Sequence, residues 1–545
     1  MSREFTPANS ILEYLEQTAV LYPDAPAYCS DTEQTDWHTV REQARRIGAA
    51  LLQMRPFSAN PQTDALPLAA LLMDKAPRTA ITMLGCAYAG YAYVVLDTSL
   101  LSGGSDHRMR ELLDFLHPEF LLYDDSRIEA AHSIEQLHTV HYQELLSLCP
   151  DLTENDITAL NTIQTHATPE DTLCLTFTSS SSGHPKCVET SHLAVIRYIE
   201  GLADILQADQ TTIFGNQAPF CFDACMKELF VSLKCGSSAW LIPNHLFGRP
   251  TELIKYLNDH RINTICWVSS AYALPAATDC FADIRPDHLR TAAFGSEIMP
   301  PDILAYWMTG LPETRFINLY GPTEATGMST WFPVPTDFRP EDYPIIPIGR
   351  PFPGVEVLLL GENDAPATEG ETGELILRSN RLAKGYYQMK ELTDQVFSTE
   401  PTLSHDRDLT SYAASPYNLY RTGDLAKYLP AGDLVFLGRK DSQVKRMGYR
   451  IDLSELERLA VRCSGVGGSC CIQTEDGRIL LYLTASSTNF DTDSIDPVTL
   501  VSSVSAALRQ QLPAYAQPNQ IRVLEEFPHL PGGKIDRIRL RTHLF

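Results

Sequence analysis

Short apolar runs bounded by turn residues recur along the chain, and the stretches between them have helical spacing. The runs are Leu68-Ala69-Ala70-Leu71-Leu72, Tyr93-Val94-Val95-Leu96, Phe120-Leu121-Leu122-Tyr123, Leu173-Cys174-Leu175-Thr176-Phe177, Ile265-Cys266-Trp267-Val268 and Phe316-Ile317-Asn318-Leu319-Tyr320. A strand that is apolar on both faces needs cover on both, and intervening helices supply it. The pattern therefore specifies an α/β fold with layered parallel sheets. Helices are expected where Ile11, Leu12, Tyr14 and Leu15 begin an apolar stripe, over 40–52, and over 78–89. A chain of 545 residues exceeds one compact core and must divide into domains.

From Val355 the texture changes. Val355-Glu356-Val357-Leu358-Leu359-Leu360 and Gly373-Glu374-Leu375-Ile376-Leu377 are separated by turn residues, which indicates a smaller β-rich subdomain over 355–440. Residues 398–416 are polar and irregular, and are expected to form an exposed loop. Gly438-Arg439-Lys440-Asp441 has the composition of a boundary. Beyond it, Asp452 precedes a helix with Glu455 spaced for a capping box, a strand follows at 479–483, and a second helix is expected over 500–512. The expected division is a core over 1–440 and a small α+β unit over 441–545.

The formal net charge of -25 disfavours nucleic acid and anionic membranes as partners. Positive charge gathers at Arg439, Lys440, Lys445, Arg446 and Arg450, and again at Lys534, Arg537, Arg539 and Arg541. These clusters suit a phosphate-bearing ligand or an acidic partner, and equally two solvated faces. The 13 cysteines include no C-x-x-C pair and no zinc spacing. With no apolar signal core at the start and no run long enough to span a bilayer, the expected location is the cytoplasm.

Three turns carry the chemistry. Thr178-Ser179-Ser180-Ser181-Ser182-Gly183-His184-Pro185-Lys186 leaves an apolar strand. Hydroxyls, backbone N–H groups and a lysine together suit phosphate oxygens. Four serines in a row more often mark a linker, but the position after a strand and the Gly-His-Pro-Lys ending argue against one. The G-x-x-x-x-G-K-[ST] spacing is absent. Asn318-Leu319-Tyr320-Gly321-Pro322-Thr323-Glu324 combines an aromatic for a base, a hydroxyl for phosphate and a carboxylate for Mg²⁺ at a strand end. Tyr420-Arg421-Thr422-Gly423-Asp424 sets a carboxylate after a tight turn, where it can hold ribose hydroxyls. Each of the last two, alone, also reads as an ordinary turn. Near the C-terminus, Pro531-Gly532-Gly533-Lys534 puts a lysine on a flexible loop.

In order and spacing these segments resemble the adenylate-forming superfamily, which holds non-ribosomal peptide synthetase adenylation domains, acyl-CoA and aryl-CoA ligases, and luciferases. The likeness extends from Ala89-Gly90-Tyr91 to the Lys534 loop. Gly448-Tyr449-Arg450-Ile451, Leu512-Pro513-Ala514-Tyr515 and Phe222-Asp223-Ala224-Cys225 are similar to free-standing amino-acid adenylation enzymes, including D-alanine–carrier protein ligases.

The resemblance implies a reaction with ATP and Mg²⁺ in which an amino acid becomes its aminoacyl-AMP and is then passed to the phosphopantetheine of a separate carrier protein. It implies that Thr178, Ser179, Ser181, Ser182, Gly183 and Lys186 close over the β- and γ-phosphates. Thr323 lies near the α-phosphate, Glu324 holds Mg²⁺, Asn318 and Tyr320 meet the adenine, and Asp424 and Arg439 bind the ribose. Lys534 bridges the carboxylate and the α-phosphate. Rotation of a mobile C-terminal domain about Asp441 then replaces Lys534 by Lys445. Losing one such cation from a closed site costs on the order of 10²–10³ in rate.

By the same resemblance the acid is received by Asp223, Ala224, Lys227, Cys266, Ala293, Gly295, Leu319, Gly327, Met328 and Lys534, with Asp223 on the α-ammonium. Lys227 leaves two outcomes open. Facing inward it favours an acidic side chain, because an unpaired buried ammonium is costly; facing solvent, it leaves a small apolar pocket suited to alanine. Ser180 and Cys187 stand where the family usually has glycine, 96–99 lacks the usual proline, and His529-Leu530 replaces the usual polar lead into the Lys534 loop. A CoA ligase for a small acid and a non-catalytic binding protein are the competing readings; Asp223 speaks against the first, and Lys534 with Glu324 against the second.

Overall fold

The computed structural model describes residues 8–55, 66–98, 106–134, 137–178, 186–361, 364–399, 415–440, 443–474, 476–485, 496–528 and 535–542. The chain forms two compact units. The first holds 1–96, 117–177 and 187–438; the second holds 97–116, 178–186 and 439–545.

The first unit is built on two large, mainly parallel sheets. One has seven strands, in the order Gly385–Tyr386, Lys186–Ser191, Thr172–Thr178, Ala92–Val95, Leu68–Leu72, Phe120–Tyr123 and Thr139–His141. Leu68–Leu72 is buried at every position and runs parallel to both neighbours. That explains why its sequence shows no in-out alternation. The helices Trp37–Met54 and Pro77–Tyr88 match the expected stripes. Proline at the first turn of the latter falls where a missing N–H costs nothing.

The other sheet has nine strands, with Arg315–Tyr320, Thr291–Gly295, Thr264–Val268, Ile213–Asn216 and Ser238–Leu241 as successive neighbours, all parallel. The chain goes from Ile213–Asn216 to Ser238–Leu241 on one side, then crosses to Thr264–Val268 on the other. Strand order therefore reverses at the crevice between Ile213–Asn216 and Thr264–Val268, the place where open α/β sheets bind ligands. In a core cluster packed on this sheet, Trp267 and Trp307 meet Tyr272 edge-on, with Tyr272 and Trp307 at 4.8 Å. The β-rich segment is a five-stranded sheet in which Val355–Leu360, Gly373–Ser379 and Leu419–Tyr428 pair antiparallel.

In the second unit, the helices Leu453–Val461 and Pro497–Gln511 accompany the three-stranded sheet Val466–Gln473, Ile479–Ala485 and Gln520–Leu524. The later helix begins before the expected residue 500. Asp496 caps it by accepting from Thr499 N, and Pro497 supplies the first turn. Asp452 caps the earlier helix through Ser454 N at 2.9 Å. Among the described residues no helix is long and apolar enough to cross a membrane.

Candidate active site

Of the residues expected to receive an acid, Asp223, Ala224 and Lys227 follow the Ile213–Asn216 strand on one bank of the switch-point crevice. A short 3-10 turn at Asp223–Cys225 leads into the helix Met226–Cys235, which follows the Ile213–Asn216 strand. Cys266 lies on the opposite bank, in Thr264–Val268. In register, Val268 pairs with Gly295 and Gly295 with Leu319. A Cβ on Gly295 would sit 2.2 Å from the Leu319 carbonyl oxygen, so only glycine lets these strand ends approach this closely.

Lys227 is 2% exposed, so the solvent-facing alternative does not occur. Glu228 beside it is fully buried and accepts from Asn216 Nδ2 at 3.1 Å. Burial pushes the Glu228 carboxyl up to about 7, against the opposing pull of Lys227, Asn216 and Lys75. Lys75 donates to the carbonyls of Gln217 (3.1 Å) and Ile242 (2.7 Å), which ties it to two strand ends. Burial brings its ammonium down to about 7.

Sequence reasoning missed Tyr198, on the helix His192–Leu206. Its hydroxyl is pushed well upward, chiefly by burial, and lies within electrostatic reach of Asp223, Arg381 and Cys266. Its ring packs on Gly327, where a Cβ would come within 2.5 Å of Cζ. Gly327 also has φ +80°, a second reason for glycine at this position.

The nucleotide side is built on the end of Arg315–Tyr320. Asn318 Nδ2 donates to Pro347 O at 2.8 Å, which fixes the side-chain amide. Tyr320 OH donates to Asp424 Oδ2, and both residues are buried. Asp424 N donates to Thr422 Oγ1 at 2.9 Å, and Thr422 Oγ1 donates to Leu375 O at 2.6 Å. Glu374 steadies the same turn, accepting from Gly423 N at 3.2 Å and from Arg421 Nη2 at 2.6 Å. The expected ribose carboxylate and the expected base platform thus touch, although 104 residues separate them.

Thr323 and Glu324 form a short 3-10 turn after that strand. Glu324 is fully buried, and its Oε1 accepts from Tyr386 OH at 2.8 Å. No group of three or more metal-ligating side chains occurs among the described residues. A lone buried carboxylate fits Mg²⁺, which takes one or two carboxylates and draws its other ligands from phosphates and water. Tyr386 and Glu374 carried no motif signal of their own, since their roles come from contacts distant in sequence.

Thr178 ends its strand and Lys186, buried, begins the next. Ser179, Ser181, Ser182 and Gly183, with Ser180, lie outside the described residues, as do Asp441 and Lys534. Arg439, half-buried, ends the strand Leu434–Arg439. In the second unit, Lys445 pairs with Arg450 in the hairpin Gln443–Arg446/Tyr449–Asp452, and Gln473 Nε2 donates to its carbonyl at 3.2 Å. Tyr449 of that hairpin stacks on Tyr515 at 3.5 Å.

Residues 15–387 match a family model described as AMP-binding enzyme. The chain is 28% identical over 538 residues to a D-alanine–D-alanyl carrier protein ligase of Bacillus licheniformis, covering 98% of this chain and 99% of that one. It is 26% identical to a stretch of surfactin synthase subunit 1 of Bacillus subtilis, covering 97% of this chain and 14% of that protein. Among solved structures, the Vibrio cholerae adenylation domain AlmE in complex with glycyl-adenosine-5'-phosphate superposes with a TM-score of 0.78, at 19% identity and 99% coverage of both chains.

Proposed function

Because the chain belongs to the AMP-binding enzyme family, we propose that it is an ATP-dependent, adenylate-forming ligase. In this reading it converts an amino acid to aminoacyl-AMP and passes the aminoacyl group to the phosphopantetheine thiol of a separate carrier protein. One observation carries the reading. Gly295 and Leu319 pair at the carboxyl ends of neighbouring parallel strands, Asp223 and Cys266 lie within electrostatic reach of one Tyr198 hydroxyl, and the strand that bears Leu319 ends on the Tyr320–Asp424 pair. A half-buried carboxylate beside shielded Tyr198 is complementary in charge to an α-ammonium. The likeness to D-alanine–D-alanyl carrier protein ligases supports the second half-reaction.

The substrate carboxylate attacks the α-phosphorus; the new P–O bond forms as the bond to the β-phosphate bridge breaks, and pyrophosphate leaves with the electron pair. Positioning and charge neutralisation account for the rate. Asp223 orients the ammonium, Gly295, Leu319, Gly327 and Met328 shape the walls, and Tyr320 and Asp424 hold the nucleoside with Asn318 and Arg439. Thr323 meets the α-phosphate, with Lys534 bridging; Thr178, Lys186 and the serines between them hold the β- and γ-phosphates. Glu324 would hold Mg²⁺, which when bound offsets negative charge on the phosphate oxygens. Lys445 serves thiol transfer after movement at Asp441. All the cysteines are free thiols, which supports a reducing, cytoplasmic setting.

Burial of Lys227 favours an acidic side chain, aspartate or glutamate, as its counter-ion. A second reading has Glu228 neutralise Lys227 from within, leaving a pocket for a small neutral amino acid. ATP–pyrophosphate exchange with every amino acid, including both enantiomers of alanine, aspartate and glutamate, tests both. Exchange with an amino acid that Lys534→Ala abolishes supports the proposal. Exchange only with other carboxylic acids, or with none, would overturn it.

A further inference from the structure

The turn after the Arg315–Tyr320 strand has a phosphate end, Thr323 and Glu324, and an acid-facing end, Gly327 and Met328. A single segment behind it, residues 379–386, grips both ends. Ala383 N donates to Glu324 O at 3.0 Å, and Tyr386 OH donates to Glu324 Oε1 at 2.8 Å. Arg381 Nη2 donates to Met328 O at 2.5 Å.

Arg381 is an unexpected residue for such a place. It is 1% exposed, and its guanidinium lies over the rings of Phe352 (5.0 Å) and Tyr198 (5.4 Å). Its Nε and Nη1 are buried and make no hydrogen bond, and it forms no ion pair among the described residues. Burial lowers its pKa to about 10. A buried cation with one carbonyl acceptor and no carboxylate is a poor stabiliser of a fold, and an apolar side chain of similar length would serve the core as well or better. What an apolar residue could not do is fix the Met328 carbonyl while pinning Tyr198, whose ring closes on Gly327. The planar guanidinium suits this, since it can stack on rings and donate in its own plane.

We propose that Arg381 is a positioning residue for substrate selection. Through the Met328 carbonyl and Tyr198 it sets the wall that meets the acid, while Ala383 and Tyr386 set the phosphate end independently. The proposal rests on the amino-acid-activating reading above. It separates two functions along a six-residue turn (323–328) by assigning each end its own support.

The test compares Arg381→Met and Tyr386→Phe with wild type by pyrophosphate exchange and thermal unfolding. Arg381→Met is expected to raise KM for the preferred amino acid, and to narrow its kcat/KM lead over the next-best one, each by about tenfold or more, as loosened positioning does. KM for ATP is expected to stay within about twofold, and Tm to hold or rise, as when a buried charge yields to an apolar group. Tyr386→Phe should leave the amino-acid KM alone and raise the Mg²⁺ concentration needed for half-maximal exchange. Arg381→Met with a lowered Tm and unchanged selectivity, or with both KM values moved together, would overturn the proposal alone. A wild type that exchanges with no amino acid would instead overturn the functional reading beneath it.

Discussion

Replacing Tyr320 by phenylalanine deletes one hydroxyl and keeps the ring. In the structure that hydroxyl donates to Asp424 Oδ2 in a buried setting, 7% exposed for Tyr320 and 5% for Asp424. A hydrogen bond to a charged partner contributes about 1.5–3 kcal/mol. The backbone N–H of Asp424 is already committed to Thr422, so the turn has little freedom to re-aim the carboxylate. If Asp424 must be held to meet a ribose, the loss falls on nucleotide binding. At about 1.4 kcal/mol per decade it amounts to a ~10- to 150-fold rise in KM for ATP. Pyrophosphate exchange with ATP varied at saturating amino acid, and then the reverse, separates the two KM values. The expected result is a raised ATP term with the amino-acid term within about twofold. An unchanged KM for ATP in a stably folded variant would refute the role assigned to the pair.

Three further outcomes are expected. Gly327→Ala places a methyl 2.5 Å from Tyr198 Cζ at φ +80°; it should cost about 2–4 kcal/mol by urea unfolding and lower kcat/KM for the amino acid. Lys227→Met should cut kcat/KM for an acidic substrate by at least ~30-fold and spare its amide analogue, the signature of a lost buried charge pair; equal loss for both would remove Lys227 from selection. His192 accepts from Ile11 N at 3.3 Å, and burial drops its pKa from 6.5 to about 4. The unfolded chain therefore binds the extra proton between those values, and stability should fall as pH drops from 6.5 toward 4, by up to about 3 kcal/mol. Urea midpoints of wild type and His192→Gln at pH 7.5 and 5 measure this, with a smaller drop expected in the variant.

The parallel core was legible because Leu68–Leu72 and its neighbours are buried on both faces and so are apolar throughout. The turn after Arg315–Tyr320 was legible because Gly321 and Pro322 break an apolar strand at its end. The orientation of Lys227 was not, since the helix Met226–Cys235 is buried nearly all round and its periodicity marks no solvent face. Tyr198 and Arg381 were hidden for a related reason. Each sits in a segment whose local pattern is ordinary, and only packing against Gly327 and Met328, far off in sequence, gives it a part to play. Apolar spacing alone places the start of the helix Pro497–Gln511 too late, because the Asp496 cap and Pro497, both outside the apolar stripe, fix it.

The measurement that tests the central claim most directly follows oxygen. An amino acid active in exchange is labelled with ¹⁸O in its carboxylate and supplied with ATP, Mg²⁺ and a phosphopantetheine-bearing carrier protein, and the released AMP is weighed by mass spectrometry. Attack of the carboxylate on the α-phosphorus leaves one substrate oxygen on AMP once the thiol has taken the aminoacyl group. AMP carrying a single ¹⁸O, with unlabelled pyrophosphate, is the expected result. Unlabelled AMP, or ADP in place of AMP and pyrophosphate, would contradict adenylation as the reaction of this site.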